Sequence, residues 1–349
     1  MAELKLKIGL VLGNAVLLLG LIVSQVYTYF RYGFFPSDPL FSITSLSSNG
    51  FLKKTLKGHT GAVLSVTFSP NNQILASGGE DNTLKLWNLN TGQLLHTLHG
   101  HFGFIYGAAF SSNGKMLASV SEDNAIELWD LTTGQQLRAL HGHQGDVNAF
   151  AFSSDGRMVA SYTLDNESLS INNPIELWNL DTGQQLRTIL KHSSLIEALA
   201  FSPDDKMLAS GNANNTIEIW NLNTGQQLCT LHRRFGFISA VAFSPDSKIL
   251  ASASEDNAIE LWDINTRQKF RTLYGHLGIV YTLAFSPDGK ILASGSIDHT
   301  IKLWNLNTGQ QSLSLHGHPS PVYTLAFSPN GKILASGSAD RTIKIWRIH

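Results

Sequence analysis

A histidine, a serine, an aspartate and a tryptophan recur together along this chain at fixed offsets. His59 is followed by Ser77, Asp81 and Trp87, and His101 by Ser119, Asp123 and Trp129. The same spacing gives His276, Ser294, Asp298 and Trp304, and again His318, Ser336, Asp340 and Trp346. Three further sets depart from it: His143/Ser161/Asp165/Trp178, His192/Ser210/Asn214/Trp220 and Arg234/Ser252/Asp256/Trp262. Serine, histidine and aspartate together suggest acyl transfer. A hydrolase, however, needs one nucleophile exposed beside one oxyanion hole, and here the set is rebuilt up to seven times. The repetition makes it structural, and no catalytic residue is assigned. His99/His101, His141/His143 and His316/His318 resemble metal-ligand pairs. The second histidine of each already belongs to the repeating set, and no acidic or cysteine partner clusters nearby, so no metal and no cofactor are expected.

The elements that must hold these side chains follow from the tryptophans. All seven lie in one register, spaced 42, 49, 42, 42, 42 and 42 residues apart. The long interval places seven extra residues after Asp165, near Asn166–Asn172. Such a period marks a repeat architecture. In one unit VYTLAFS, ILASGS, IKLWNL and QSLSL are apolar or alternating runs, separated by PDGK, IDHT and NTGQ. Runs of about six residues between Asp, Asn, Gly and Pro turns read as four hairpin-linked antiparallel strands. Both faces are largely apolar, which one sheet alone cannot bury and a closed ring of seven can. The last unit ends after its third strand, while Phe51–Leu56 stands in register with the fourth strands of the others. Residues 51–56 are therefore expected to close the ring against 342–348, leaving no open edge.

Gly58-His59, Asp81 and Trp87-Asn88, and their repeats over residues 51–349, resemble the Gly-His … Trp-Asp signature of WD40 repeats. The wording FSPDGKILASGSIDHTIKLWNLNTGQ is similar to bacterial WD-repeat proteins. The resemblance implies an all-β, seven-bladed WD40 β-propeller with a scaffold role. It also implies a buried relay from indole N–H to serine, serine to histidine and histidine to aspartate, tying loop to strand within each blade. Two units break the pattern: Lys191 and Asn214 in the fourth, and Arg233-Arg234 where Gly-His belongs in the fifth. Arg cannot accept the serine proton, so these blades are expected to have the weakest networks.

Residues 1–50 are of another kind. After a short tail, 1–7, there is no charge from Ile8 to Phe30. As a helix this is roughly 35 Å long, enough to span a bilayer core of about 30 Å. Tyr27, Tyr29, Phe30 and Tyr32 crowd one end as interfacial aromatics do. One N-terminal transmembrane helix, a signal anchor over 8–30, is the expectation, with a cleaved signal and export of a soluble propeller as the alternative. Lys5 and Lys7 precede the span and Arg31 alone follows it, which places the propeller on the extracytoplasmic side. Gly9 and Gly13 form a GxxxG pair through which two copies could meet as a homodimer. Residues 31–50, with Pro36, Pro39 and a Ser-rich end, read as a linker.

Composition narrows the function. There are 25 Lys+Arg against 26 Asp+Glu, a net charge of −1, so no nucleic-acid partner held by bulk positive charge is expected. The one cysteine, Cys229, excludes an intrachain disulfide. The WD40 resemblance points to three partner-contacting positions per blade on the top face: the first and third residues after the histidine and the residue before the aspartate. Here they include Phe102, Phe104 and Glu122, then Phe235, Phe237 and Glu255, then Leu277 and Ile279. FGFI and SEDNAIELWD occur in both the second and the fifth units. A Phe-rich, Glu-dotted face reads as a protein or peptide site, unless the rings fold inward as plugs between blades. The function expected is a non-enzymatic, membrane-anchored protein-interaction scaffold. The alternatives are the soluble exported form and a propeller enzyme acting near the central channel, which would need a polar cluster peculiar to the channel mouth.

Overall fold

Alternating residues and tight turns build seven four-stranded antiparallel sheets, each running from an inner to an outer strand in chain order except the last. The chain divides into Met1–Ser47 and Ser48–His349, and the described residues belong to the second part. This computed structural model describes residues 50–348 apart from 124, 142–145, 165–173, 190, 191 and 193. The span Ile8–Phe30, Gly9, Gly13, the linker up to residue 49 and the insertion near Asn166–Asn172 lie outside the described residues. Among the described residues no helix is long and apolar enough to cross a membrane.

The first blade shows the plan. Its strands are Val63–Phe68, Ile74–Gly79, Thr83–Asn88 and Leu94–His99. The two middle strands are buried on both faces and the outer strand is largely exposed, as a sheet packed between two others requires. Each tryptophan fills the gap toward the preceding blade: Trp129 packs with Ala76, Leu84 and Leu86 of blade one. Trp87 packs with Leu56, Ile343 and Ile345, which joins the first blade to the last. The last sheet is completed from the other end of the chain. Leu52–Lys57 runs antiparallel to Thr342–Arg347, with Leu56 opposite Ile343 and Leu52 opposite Trp346. The Arg347 N–H donates to the Phe51 carbonyl at 2.7 Å. The architecture is an all-β, seven-bladed propeller.

The inner strands are Val63–Phe68, Ile105–Phe110, Asp146–Phe152, Ile196–Phe201, Ile238–Phe243, Val280–Phe285 and Val322–Phe327. Neighbouring ones lie side by side around the axis, with Ile105–Phe110 and Asp146–Phe152 the one pair that approaches less closely. Side chains link them: Ser65 Oγ accepts from the Ala108 N–H at 3.0 Å, and Thr324 Oγ1 from the Val66 N–H at 3.3 Å. Every inner strand also carries a bulge at its second residue or, in Asp146–Phe152, its third. Val63 pairs with Gly79 and Ser65 with Gly78, which leaves Leu64 without a partner in the ladder. The same skip falls on Tyr106, Asn148, Glu197, Ser239, Tyr281 and Tyr323. A bulge bends the strand and re-aims its extra side chain. Here that happens seven times, once in each inner strand.

Candidate functional site

The repeating His, Ser, Asp and Trp residues meet inside their blades. In the first, Trp87 Nε1–H donates to Ser77 Oγ at 2.9 Å, and Ser77 Oγ lies 2.7 Å from His59 Nε2. His59 Nδ1 sits 2.9 Å from Asp81 Oδ2. Indole N–H can only donate, so the serine passes its own hydrogen to Nε2 and the ring proton resides on Nδ1, facing the carboxylate. The second, sixth and seventh blades repeat this, with His–Ser distances of 2.7 Å at His101, His276 and His318. Burial by itself would raise the Asp81 and Asp298 carboxyls. The hydrogen bonds from His59 and His276, from backbone N–H groups and from Thr83 and Thr300 outweigh it and hold both well below the usual carboxylate range. Burial also keeps the His318 ring below the ordinary histidine value, against the pull of Asp340. Ser77, Ser119, Ser294 and Ser336 are fully buried beneath their tryptophans.

In the third blade His143 and Asp165 lie outside the described residues. In the fourth, Trp220 donates to Ser210 at 3.1 Å, while His192 Nδ1 turns to the Ser194 carbonyl at 2.7 Å. The fifth corrects the sequence reading. Arg234, aligned with the histidines, is exposed; Arg233, aligned with the glycines, is 5% exposed and takes over the relay. Its guanidinium donates to the Ser252 carbonyl at 2.8 Å and Ser252 Oγ at 3.2 Å, to Asp256 at 2.9 Å and to the Ala258 carbonyl at 3.2 Å. Trp262 still donates to Ser252 at 2.9 Å. Arg cannot accept the serine proton, but with five N–H groups it can replace the relay by donation. This blade is joined by charge-assisted bonds in place of the histidine relay.

The exchange reshapes the loop above it. From His101 to Ile105 is four residues; from Arg233 to Ile238 is five. The extra residue is absorbed by Gly236, which adopts a φ of +80°. The two FGFI segments therefore differ in shape. Phe102 is 91% exposed, its N–H tied to Asp123 Oδ2 at 2.7 Å. Phe235 is 54% exposed with the Arg234 guanidinium 5.2 Å from its ring centre. Phe104, Glu122, Glu255 and Leu277 are also exposed, and Phe237 is half-buried. Ile279 is not part of the surface: it is 9% exposed.

Beneath these loops lies a group of residues that the repeat reading passed over, the bulged ring. Leu64, Tyr106, Asn148, Glu197, Ser239, Tyr281 and Tyr323 occupy one position in a unit whose flanking residues repeat. That local variety is the signal that could have found them. Asn148 Nδ2 donates to the Ile196 carbonyl at 2.6 Å, and Ser239 Oγ to the Val280 carbonyl at 2.7 Å. The Tyr281 and Tyr323 rings meet edge-on at 5.4 Å. Burial, with the neighbouring Tyr323, pushes the Tyr281 phenol up to about 12. Burial raises the Glu197 carboxyl, and Asn148 offsets this in part. The Ser239 hydroxyl is thus committed to a carbonyl. Among the described residues no three His, Cys, Asp or Glu side chains converge as metal ligands would.

The family described as "WDR3 first beta-propeller domain" matches residues 168–348, and "WD domain, G-beta repeat" matches 50–88, 92–130 and 134–167. The chain is similar to Eukaryotic translation initiation factor 3 subunit I of Aspergillus niger, 51% identical over 49 residues, 14% of either chain. The same subunit of Neurospora crassa is 40% identical over 65 residues, 17% of this chain and 19% of the relative. The chain thus spans less than a fifth of the length of these curated relatives.

Proposed function

The chain belongs to the WD40-repeat β-propellers, and we propose that it is a non-enzymatic scaffold that receives protein or peptide partners on the face carrying Phe102. The observation behind this reading is Phe102 itself, an aromatic ring 91% exposed on a loop whose backbone is fixed by Asp123. Exposed aromatics on rigid loops are the side chains that anchor interfaces at low entropic cost. Phe104 and the exposed Glu122 stand in the same blade, where the Phe104 N–H donates to Glu122 at 3.5 Å, and Leu277 is exposed at the position of the sixth blade that corresponds to Phe102. The likeness to translation initiation factor 3 subunit I covers little more than one 42-residue repeat. It supports a scaffold and gives no ground for a place in translation initiation.

Ile8–Phe30 adds an anchor to the proposal. It would hold the propeller at a membrane on the extracytoplasmic side, with Gly9 and Gly13 available to a second copy. The apolar length and the Lys5/Lys7 bias support this. Retention of the full-length protein in the carbonate-washed membrane pellet is expected, and its release would remove the anchor from the proposal. For the binding face, a photo-crosslinking residue at position 102 of the full chain should capture a partner that the same residue at Leu137, on an outer strand, does not. Equal capture at both positions would refute it.

A further inference from the structure

We propose that the outer wall of the seventh blade, formed by Leu52–Lys57 and Thr342–Arg347, lies against an anionic lipid surface and sets the propeller edge-on to the membrane. The inference rests on the anchored reading and adds the part of the propeller that meets the lipid. It begins with the distribution of charge. Residues 51–57 and 275–349, which form the sixth and seventh blades, hold nine Lys+Arg against three Asp+Glu, a net charge of +6. Residues 58–274, the first five blades, hold 13 against 21, a net charge of −8. A chain that is nearly neutral as a whole is thus a ring with one cationic sector.

The seventh blade turns that charge outward. In each outer strand the ladder skips the residue after the one opposite the tryptophan. Leu95, Leu137 and Phe270 are skipped in this way in the first, second and fifth blades, and all three are exposed. In Leu52–Lys57 the skipped and exposed residue is Lys53. Lys57 is exposed at the end of that strand, about 13 Å further along it. Arg341 and Arg347, both exposed, stand at the two ends of the paired strand. Behind them the Lys344 ammonium donates to Thr55 Oγ1 at 3.2 Å, and Lys54 donates to the Asn90 carbonyl at 2.7 Å. Neither strand carries an acid. The three carboxylates of these two blades are already engaged, Asp288 by Lys290, Asp298 by His276 and Asp340 by His318. Among the described residues, four exposed cations are therefore left without a counter-charge. They are spread over about 20 Å of wall, no more than about two Debye lengths.

Sign and position decide the occupant. Clusters of four or more Lys and Arg next to a membrane span bind anionic lipid. Residues 1–50 join the propeller at this wall, where the Phe51 carbonyl accepts the Arg347 N–H at 2.7 Å. An anchor over 8–30 followed by residues 31–50, about 25 Å as a coil, delivers the bilayer surface to this wall first. The negative charge of the first five blades is repelled by the same surface, which fixes the orientation.

The test uses the full chain in vesicles of phosphatidylcholine, alone or with an equal share of phosphatidylglycerol, with an energy acceptor on the lipid head groups. A fluorescent amino acid replaces Ser312, the skipped residue of the sixth blade, or Leu186, the skipped residue of the third. Phosphatidylglycerol should raise energy transfer from position 312 and not from position 186. Lys53→Gln, Lys57→Gln and Arg347→Gln combined should abolish the rise, since each cation near an anionic surface contributes about fivefold to adsorption. Lys53→Arg with Lys57→Arg should keep it. No rise at position 312, an equal rise at both positions, or a rise that survives the glutamine substitutions would overturn the proposal. If the carbonate wash releases the protein, the anchor falls and the wall is tested on the soluble chain: sedimentation with phosphatidylglycerol vesicles and not with phosphatidylcholine vesicles supports it, and sedimentation with neither overturns it. A salt-sensitive dimer formed without lipid and lost in the glutamine variant would make the acidic sector of a second copy the occupant, and would overturn the lipid surface.

Discussion

Arg233 holds Ser252, Asp256 and Ala258 from one buried guanidinium, so its truncation strands several groups at once. Arg233→Met should cost about 3 kcal/mol or more, as when a buried ion pair loses one partner. Arg234→Ala, at an exposed position, should stay within about 0.5 kcal/mol. Denaturant melts of the two variants distinguish them, and the reverse order would return Arg234 to the relay. Asp298→Ala deprives His276 Nδ1 of its acceptor at 2.8 Å and should cost about 1–3 kcal/mol. Asn214→Ala, removing a neutral amide that accepts from Thr216, should cost less. The relay also sets a pH dependence. His318 titrates below its ordinary value in the folded protein, so between that value and about 6.5 the unfolded chain binds more protons, and stability falls as pH falls. Asp81, Asp123, Asp298 and Asp340 are likewise held low. Their contribution is present above about pH 4 and is lost as the pH falls toward their folded values. Melting temperatures at pH 7.5, 5.5 and 3.5 should decline in that order, and His318→Asn should flatten the first interval.

At the scale of elements, the closing strand is the most exposed to test. Leu52–Lys57 carries the only described partner ladder of Thr342–Arg347 on that side, and Leu56 is buried in the seam with Trp87. A chain beginning at residue 57 should melt at least about 5 °C below one beginning at residue 49, since a kcal/mol shifts a domain of this size by about 2–4 °C or less. Equal melting would mean that the ring does not depend on the strand. The period made this pairing legible: Phe51–Leu56 aligns with the outer strands, and the tryptophans fix the register of the rest. The loops were less legible because they depend on contacts outside the repeat. FGFI has one sequence and two shapes, since Arg233 enters the relay one residue early and Gly236 must turn. Ile279 aligns with the half-exposed Phe237 and yet is buried. The bulged ring was hidden for a different reason: a search for sameness discards the one position at which the blades differ.

For the whole molecule, seven similar sheets give a rigid ring, and function resides in what is not shared between them. Phe102 stands nearly free in solvent, Phe235 lies beside a guanidinium, and Glu197 is the one acidic residue among the seven bulged positions. The second and fifth blades are therefore unequal sites: Phe102 should dominate, with an anchor of this kind contributing about 2 kcal/mol or more when truncated. The most direct measurement is a pull-down from the native host with full-length Phe102→Ser and Phe235→Ser proteins, each paired with its melting temperature. Phe102→Ser should lose the main partner, Phe235→Ser should lose less of it, and both should melt within about 2 °C of the parent, as exposed substitutions do. A large fall in melting temperature with the partner retained would show that these rings hold blades together, and would contradict the binding face.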